Sequence, residues 1–245
     1  MEKAPSDPEA GRRVAISDAR RLMRLARTGA LATLDPETGA PLTTLIGVAS
    51  DFDGAPLFLM STLARHTKHL ARDPRASLLL MEEAERGDPL NHPRITLNGA
   101  VATTADPRVR TRYLQRNPKA KLYADFADFA FYRLAIASVH FNGGFGRADA
   151  LAPEDILSPR DGEAALAQAE PALLDEINRL GDAEVAALAG ERGPSGRRVW
   201  RAIGLDALGL DLSAGTRAAR LAFPRAANDV ASWRALVAEA REAAK

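Results

Sequence analysis

Short apolar runs of strand length, separated by turn residues, follow one another through residues 30–141. Alternation of apolar and polar residues over roughly 4–8 positions is typical of half-buried strands, and tight turns rich in Asp, Gly and Pro join antiparallel neighbours. Turns of this kind stand at Asp35–Gly39 and Asp51–Gly54. The pattern predicts strands at Ala30–Leu34, Pro41–Ala49, Pro56–Met60, Ala76–Glu82, Arg94–Thr104 and Arg133–Phe141.

Segments with helical spacing lie before and between these strands. An amphipathic segment begins after Ser17, carries Leu22 and Met23 on its apolar side, and ends at Gly29. The same spacing predicts further helices at Thr62–Arg72, Asp106–Arg116 and Lys119–Phe131. A series of short strands with few helices favours a small barrel or curled antiparallel sheet over alternating parallel βαβ units.

The composition changes after an acidic, proline-containing stretch at residues 153–159, because most aromatic residues precede it. A change of this kind is typical of a domain boundary. We therefore predict a flexible N-terminus at residues 1–16, a first domain at 17–157 and a small α+β domain at 158–245. The second domain is predicted to contain helices at Glu163–Leu180, Asp182–Ala189 and Asp229–Ala243, and strands at Arg197–Leu205, Gly209–Leu212 and Arg217–Phe223.

Charge and composition exclude several classes of protein. Lys and Arg number 33 against 32 Asp and Glu, so no basic excess is available for bulk binding of nucleic acid. The absence of cysteine excludes thiolate metal sites and cysteine nucleophiles, and redox chemistry would need a bound cofactor. No apolar run reaches the ~20 residues that span a bilayer, and we expect a cytoplasmic protein without a membrane partner.

Hydroxyls and cations cluster directly after the Pro56–Met60 strand. On a helix, Ser61, Arg65, Lys68 and Arg72 would share one face. Backbone N–H groups at a helix N-terminus and neighbouring Arg or Lys side chains attract the same anion, so the segment could bind a phosphate. A solvated basic face with Ser61 or Thr62 as a helix cap accounts for the same residues.

The chain has four histidines. His66 and His69 are three residues apart, but no third metal ligand lies beside them, and no metal site is predicted. His92 lies next to Pro93 and is expected in a loop. His140 belongs to an alternating strand and is expected to be a half-buried structural imidazole.

Six sequence blocks follow one another in a recognisable order: Gly29–Leu34, Pro41–Leu45, Phe58–Arg75, Pro93–Gly99, Asp128–Leu134 and Phe141–Ala148. Together they resemble the FMN-binding split-barrel proteins related to pyridoxamine 5′-phosphate oxidase, in particular their HugZ-like haem-utilisation branch. The resemblance covers about residues 17–157, and the remainder resembles the small domain of unknown function that often ends such chains. It implies an α+β fold: a six-stranded antiparallel split β-barrel with flanking helices, plus a small C-terminal α+β domain.

The resemblance also implies an FMN site in a homodimer, with the flavin at the subunit interface. Arg65 and Lys68 would contact the FMN phosphate, assisted by Ser61, His66 and Thr67. Residues of the Pro41–Ala49 strand would line the ribityl chain or the ring, and a second chain would contribute two arginines. These additional site residues are Thr43, Thr44, Leu45, Arg94 and Arg147.

The sequence departs from the family pattern in two places. No histidine follows His140, so the C-terminal region cannot supply the iron ligand that haem-degrading members of the branch use there. The C-terminal substrate signature of the pyridoxamine phosphate oxidases is absent as well. We therefore expect an FMN-binding oxidoreductase acting on an unidentified small molecule. The alternatives are a haem-binding or haem-degrading protein of the HugZ type, and a non-enzymatic regulator that binds a partner protein.

Overall fold

The computed structural model describes residues 8–81, 88–144, 148–159, 162–190 and 198–244. The chain forms two compact units, Met1–Leu157 and Ser158–Lys245. Within the described residues, no helix is both long and apolar enough to cross a membrane.

The first unit is a curled antiparallel sheet with flanking helices. Its strands run in the order β2-β1-β5-β6-β7-β4-β3, and β8 pairs with β7 beside this path. The strands are β1 (Thr28–Leu34), β2 (Pro41–Gly47), β3 (Ala49–Ser50), β4 (Pro56–Ser61), β5 (Arg75–Met81), β6 (Arg94–Thr103), β7 (Phe129–Asn142) and β8 (Ala148–Leu151). The helices are α1 (Pro8–Leu25), α2 (Arg65–Leu70), α3 (Pro107–Arg116) and α4 (Pro153–Ile156), and 3-10 turns stand at Pro89–Asn91 and Pro118–Leu122.

All six predicted strands are present in the sheet, but the observed sheet has eight strands. The run predicted as Pro41–Ala49 divides, because residues up to Gly47 pair with β1 whereas Ala49 and Ser50 pair with β4. The additional strand β8 has the sequence Ala-Asp-Ala-Leu, which lacks the β-branched and aromatic residues that mark strands in a sequence.

The structure differs from the prediction in three segments: the N-terminus, the segment Lys119–Phe131 and helix α2. The prediction of a flexible N-terminus is wrong for residues 8–16, because α1 begins at Pro8 and buries Ala15 in the same core as Leu22. The helix predicted at Lys119–Phe131 is wrong, because a 3-10 turn ends at Leu122 and β7 begins at Phe129 to pair with β4. Helix α2 is shorter than the predicted Thr62–Arg72.

The two faces of the sheet are covered differently. One face holds the main core, where α1 packs against fully buried side chains such as Leu31, Leu78 and Leu97. The opposite face is covered at β4 and the start of β7 by a second cluster that includes Tyr113 of α3. The remainder of that face is exposed, and we call it the open face. Its exposed residues include Thr43, Leu45, Met81, Asn98, Ala100, Ala135, Ser138 and His140.

Arginines from three elements converge on the turn between β3 and β4. Arg24 of α1 donates to the carbonyl oxygens of Asp51 and Phe52, both at 2.9 Å. Arg112 of α3 donates to the Ser50 carbonyl at 3.0 Å, and Arg133 of β7 forms ion pairs with the carboxylates of Asp51 and Asp53. The carbonyl oxygens of Ser50, Asp51 and Phe52 thus each accept from a charged donor, and these arginines tie the turn to α1, α3 and β7.

The second unit is a three-stranded antiparallel sheet with helices. The strands β9 (Arg201–Asp206), β10 (Gly209–Ala214) and β11 (Arg217–Ala222) lie in the order β11-β10-β9, accompanied by α5 (Glu163–Asn178), α6 (Asp182–Leu188) and α7 (Val230–Ala243). Arg220 is buried with its guanidinium 2.7 Å from Asp206 and 2.6 Å from Asp211. The α+β character predicted for this part of the chain is confirmed.

Replacement of Arg24 should destabilise the first unit far more than replacement of an exposed arginine on the same helix. Arg24→Ala leaves two carbonyls of the β3–β4 turn without their charged donor, and we expect the free energy of unfolding to fall by about 3 kcal/mol. Urea denaturation measures this change. Arg13→Ala is the matched control, expected to stay within ~0.5 kcal/mol of wild type. Equal losses in the two variants would contradict the role assigned to Arg24.

Candidate functional site

The candidate site begins where β4 ends and the chain turns into α2. The Ser61 hydroxyl donates to the Asp128 carboxylate at 2.5 Å and accepts from the Leu63 N–H at 3.1 Å. The Thr62 N–H donates to the Asp128 carbonyl oxygen at 2.7 Å. Asp128 therefore holds this turn through both its side chain and its backbone. The Ser61 proton, predicted to assist an anion, is directed to Asp128 instead.

Two cations project from the short helix that follows. Arg65 and Lys68 are both exposed and three residues apart, so they are neighbours on the helix surface. Within the described part of the chain, neither side chain forms an ion pair with a carboxylate. Arg72 is exposed too, but it lies beyond the end of the helix at Leu70. Of the predicted cation cluster, α2 itself carries Arg65 and Lys68.

Thr67 lies between these cations in the sequence and is buried, with 5% of its surface exposed. Its hydroxyl has no hydrogen-bond partner among the described residues. A buried hydroxyl without a partner costs roughly 1–3 kcal/mol, and most such groups in folded proteins are paired. A bound anion would supply the missing acceptor, and Arg65 and Lys68 would supply the charge. The residues present therefore fit a ligand with a phosphate or carboxylate group.

The two histidines of α2 have different environments. His69 is buried, with Nδ1 3.2 Å from the Thr33 hydroxyl and Nε2 3.6 Å from the Asp35 carboxylate, so it ties α2 to β1 and to the turn that follows β1. His66 is half-buried, and its Nδ1 lies 3.1 Å from the Thr44 hydroxyl. Burial, and to a smaller extent the nearby His69, lowers the pKa of His66 below its usual value. The neutral imidazole of His66 is thereby favoured.

The predicted residues of β2 divide between the two faces of the sheet. Thr44 pairs with the buried Leu31, and its side chain meets His66 of α2. Thr43 and Leu45 lie on the open face, where 75% of the Leu45 surface is exposed. Successive residues of a strand point to opposite faces, which separates Thr44 from its neighbours.

Of the two arginines predicted to come from a second chain, the structure describes Arg94. Arg94 begins β6, and its guanidinium donates to the carbonyl oxygens of Leu90 at 2.9 Å and His92 at 3.4 Å. Arg147 lies outside the described residues. His140 is exposed on the open face, so the prediction of a half-buried structural imidazole is wrong. Strand β7 is covered on that face only near its start, and His140 stands near its other end.

No cluster of three or more His, Cys, Asp or Glu side chains able to hold a metal ion occurs among the residues described above. The side chains brought together at α2 are therefore the cations Arg65 and Lys68, the Thr67 hydroxyl and the His66–Thr44 pair. Sequence reasoning missed Asp128, which the prediction placed inside a helix. Its position in the Asp128–Leu134 block was the available signal.

Comparison with known proteins places the fold in a family. The family model described as the CREG beta-barrel matches residues 11–158. The heme oxygenase HOZ, chloroplastic, of Arabidopsis thaliana is 29% identical over 251 residues, covering 98% of this chain and 76% of that protein.

Two solved structures are similar over most of the chain. A protein of unknown function from Agrobacterium tumefaciens is 31% identical, with a TM-score of 0.80 and 98% coverage of both chains. A heme binding protein from Mycobacterium smegmatis is 26% identical, with a TM-score of 0.55, covering 94% of this chain and 97% of that one. The resemblance to split-barrel relatives of pyridoxamine 5′-phosphate oxidase is confirmed, and the chain belongs to the CREG beta-barrel family.

Proposed function

We propose that this protein binds haem at α2, with Arg65, Lys68 and Thr67 holding the propionate groups. The observations that carry the proposal are the two exposed cations without a carboxylate partner among the described residues, and the buried, unpartnered Thr67 hydroxyl on the same helix. Propionate groups would neutralise the cations, and a carboxylate oxygen would supply the acceptor that the Thr67 hydroxyl lacks.

Haem also suits the apolar surface beside these cations. Leu63, two residues before Arg65, is 70% exposed. A porphyrin has a large apolar surface, and its burial against an exposed leucine is favourable. The heme oxygenase HOZ and the mycobacterial heme binding protein, which resemble this chain over nearly its whole length, support haem over other anionic ligands.

FMN is the second candidate, and the same three side chains favour it. A phosphate group would accept a hydrogen bond from Thr67 and take charge from Arg65 and Lys68, in the roles that the sequence resemblance implies. An oxidoreductase would then rely on the flavin for hydride transfer, and the protein would position the ring. The visible spectrum of the protein as isolated separates the candidates, because haem gives a Soret band and FMN gives flavin absorbance and fluorescence.

We further propose that the protein is a homodimer that buries the open face against a second copy. This face presents the small side chains Ala100 and Ala135 and the exposed Leu45, and small side chains let a second sheet approach closely. In this arrangement the second copy would also cover the β2 edge beside α2.

Removal of both cations should weaken haem binding. We expect the Arg65→Ala/Lys68→Ala double variant to bind haemin at least ~10-fold more weakly, a loss of ~1.4 kcal/mol, in a titration that follows the Soret band. Lys119→Ala/Lys121→Ala removes two exposed cations from a 3-10 turn and is the control. Wild-type protein that shows no Soret shift with micromolar haemin would overturn the haem proposal. Uptake of FMN by the same sample would favour the second candidate, and refusal of both ligands would favour a partner-binding regulator.

Thr67→Val should affect folding and ligand binding in opposite directions. Valine has the same shape but no unpartnered hydroxyl, so the ligand-free variant should gain about 1 kcal/mol in free energy of unfolding. Haemin or FMN should bind it several-fold more weakly. Urea denaturation and ligand titration on one preparation measure both quantities, with the exposed Thr62→Val as the matched control. Loss of stability without a change in affinity would show that the Thr67 hydroxyl serves only the fold.

The open face can be tested through Leu45. We expect Leu45→Asp to convert a dimer to a monomer, measured by size-exclusion chromatography with light scattering, because burial of the new carboxylate in an apolar interface is costly. Leu122→Asp changes an 81% exposed leucine outside this face and should leave the dimer intact. A monomeric wild-type protein, or a dimer that tolerates Leu45→Asp, would refute this arrangement.

A further inference from the structure

One side chain beside the proposed propionate site has a ring nitrogen suited to a metal. The His66 Nδ1 is 3.1 Å from the Thr44 hydroxyl, and its Nε2 has no partner among the described residues. A hydrogen bond at one ring nitrogen fixes the orientation of a histidine ring, and metal-ligating histidines are commonly held in this way. When Nδ1 donates to the Thr44 hydroxyl, Nε2 carries the free lone pair. His66 therefore has the environment of an oriented ligand with one nitrogen open.

Among the described residues, His69 and His140 lack this combination. His69 is buried, and both its ring nitrogens face protein groups, Thr33 and Asp35. His140 is exposed on the open face without an orienting hydrogen bond to any described residue. His92 follows the 3-10 turn at Pro89–Asn91 and lies on the loop that Arg94 holds. The sequence contains no histidine after His140, so the second unit offers no imidazole.

The position of His66 suits a haem whose propionates bind to the same helix. Arg65 precedes it directly, Thr67 follows it, and Lys68 is two residues away. Side chains at successive helix positions point in directions about 100° apart, so a single ligand would have to meet the imidazole and the cations with different groups, as the iron and propionates of haem do. Thr44 restrains the ring from β2, against which α2 packs.

We propose that His66 is the axial ligand of haem iron, through Nε2, and that Thr44 is the residue that positions its ring. This assignment rests on the proposed haem-binding function and gives that site a metal contact within the first unit. Bond formation here consists of donation of the Nε2 lone pair to the iron, with no change of oxidation state.

The test is spectroscopic and uses the full chain loaded with haemin. Wild type should give the Soret and visible bands and the electron paramagnetic resonance signal of histidine-ligated ferric haem, and His66→Gly should lose them. Added imidazole should restore the spectrum of His66→Gly, which a purely structural role for His66 would not allow. His140→Ala and His92→Ala are the controls and should keep the wild-type spectrum.

Thr44 has its own variants. Thr44→Val removes the orienting hydroxyl and should alter the ligand-field bands. This variant should still bind haemin, with several-fold lower affinity. Thr44→Ser keeps a hydroxyl and should restore the wild-type bands. If the haemin-loaded His66→Gly variant keeps the wild-type spectrum, or if His140→Ala loses it instead, the assignment of His66 is overturned. Haem binding itself would still stand. Wild type that takes up no haemin would overturn the proposed function itself.

Discussion

The geometry of the candidate site depends on the hydrogen bonds by which Asp128 holds the end of β4. The Asp128 carboxylate accepts from Ser61 and its carbonyl oxygen accepts from the next residue, Thr62, although Asp128 and Ser61 are 67 positions apart in the sequence. Two bonds at adjacent residues fix both the position and the direction of the turn. The direction of the turn determines how α2 meets β1 and β2, which buries Thr67 and leaves Arg65 in solvent.

The sheet contributes through the unequal covering of its faces. Helix α1 covers the face that holds the main core. On the opposite face, α3 and the segment that follows it cover one part around Tyr113, and the rest is the open face. The strands that remain uncovered carry mostly small or polar residues on that side, with Leu45 and Met81 as large exposed apolar exceptions. A sheet face of this kind is stable in water only as far as its apolar area stays small. Leu45 is therefore the residue at which exposure is most costly and at which contact with a second copy gains most.

The fold was predictable wherever one local pattern decided the structure. Strand alternation located β1, β5, β6 and the second half of β7 because each buries alternate residues in one core. Strand β4 was predictable as a short apolar run between turns, because both of its faces are buried. The segment Lys119–Phe131 failed because pairing between Phe129 and Ser61, a contact distant in sequence, outweighs its helical spacing. The cations of the site were visible as a cluster, whereas the missing partner of Thr67 and the occupation of Ser61 by Asp128 arise only from tertiary packing.

Charge alone does not select a ligand at α2, because the Thr67 hydroxyl and two cations accept a phosphate and a propionate on similar terms. The two candidate ligands differ in what they would require of His66. A flavin has no electron-pair acceptor that requires an unprotonated imidazole nitrogen, whereas haem iron does. Half-burial lowers the pKa of His66 and disfavours a third positive charge beside Arg65 and Lys68. Because Thr44 contacts Nδ1, the nitrogen left available to iron in the proposed site is Nε2.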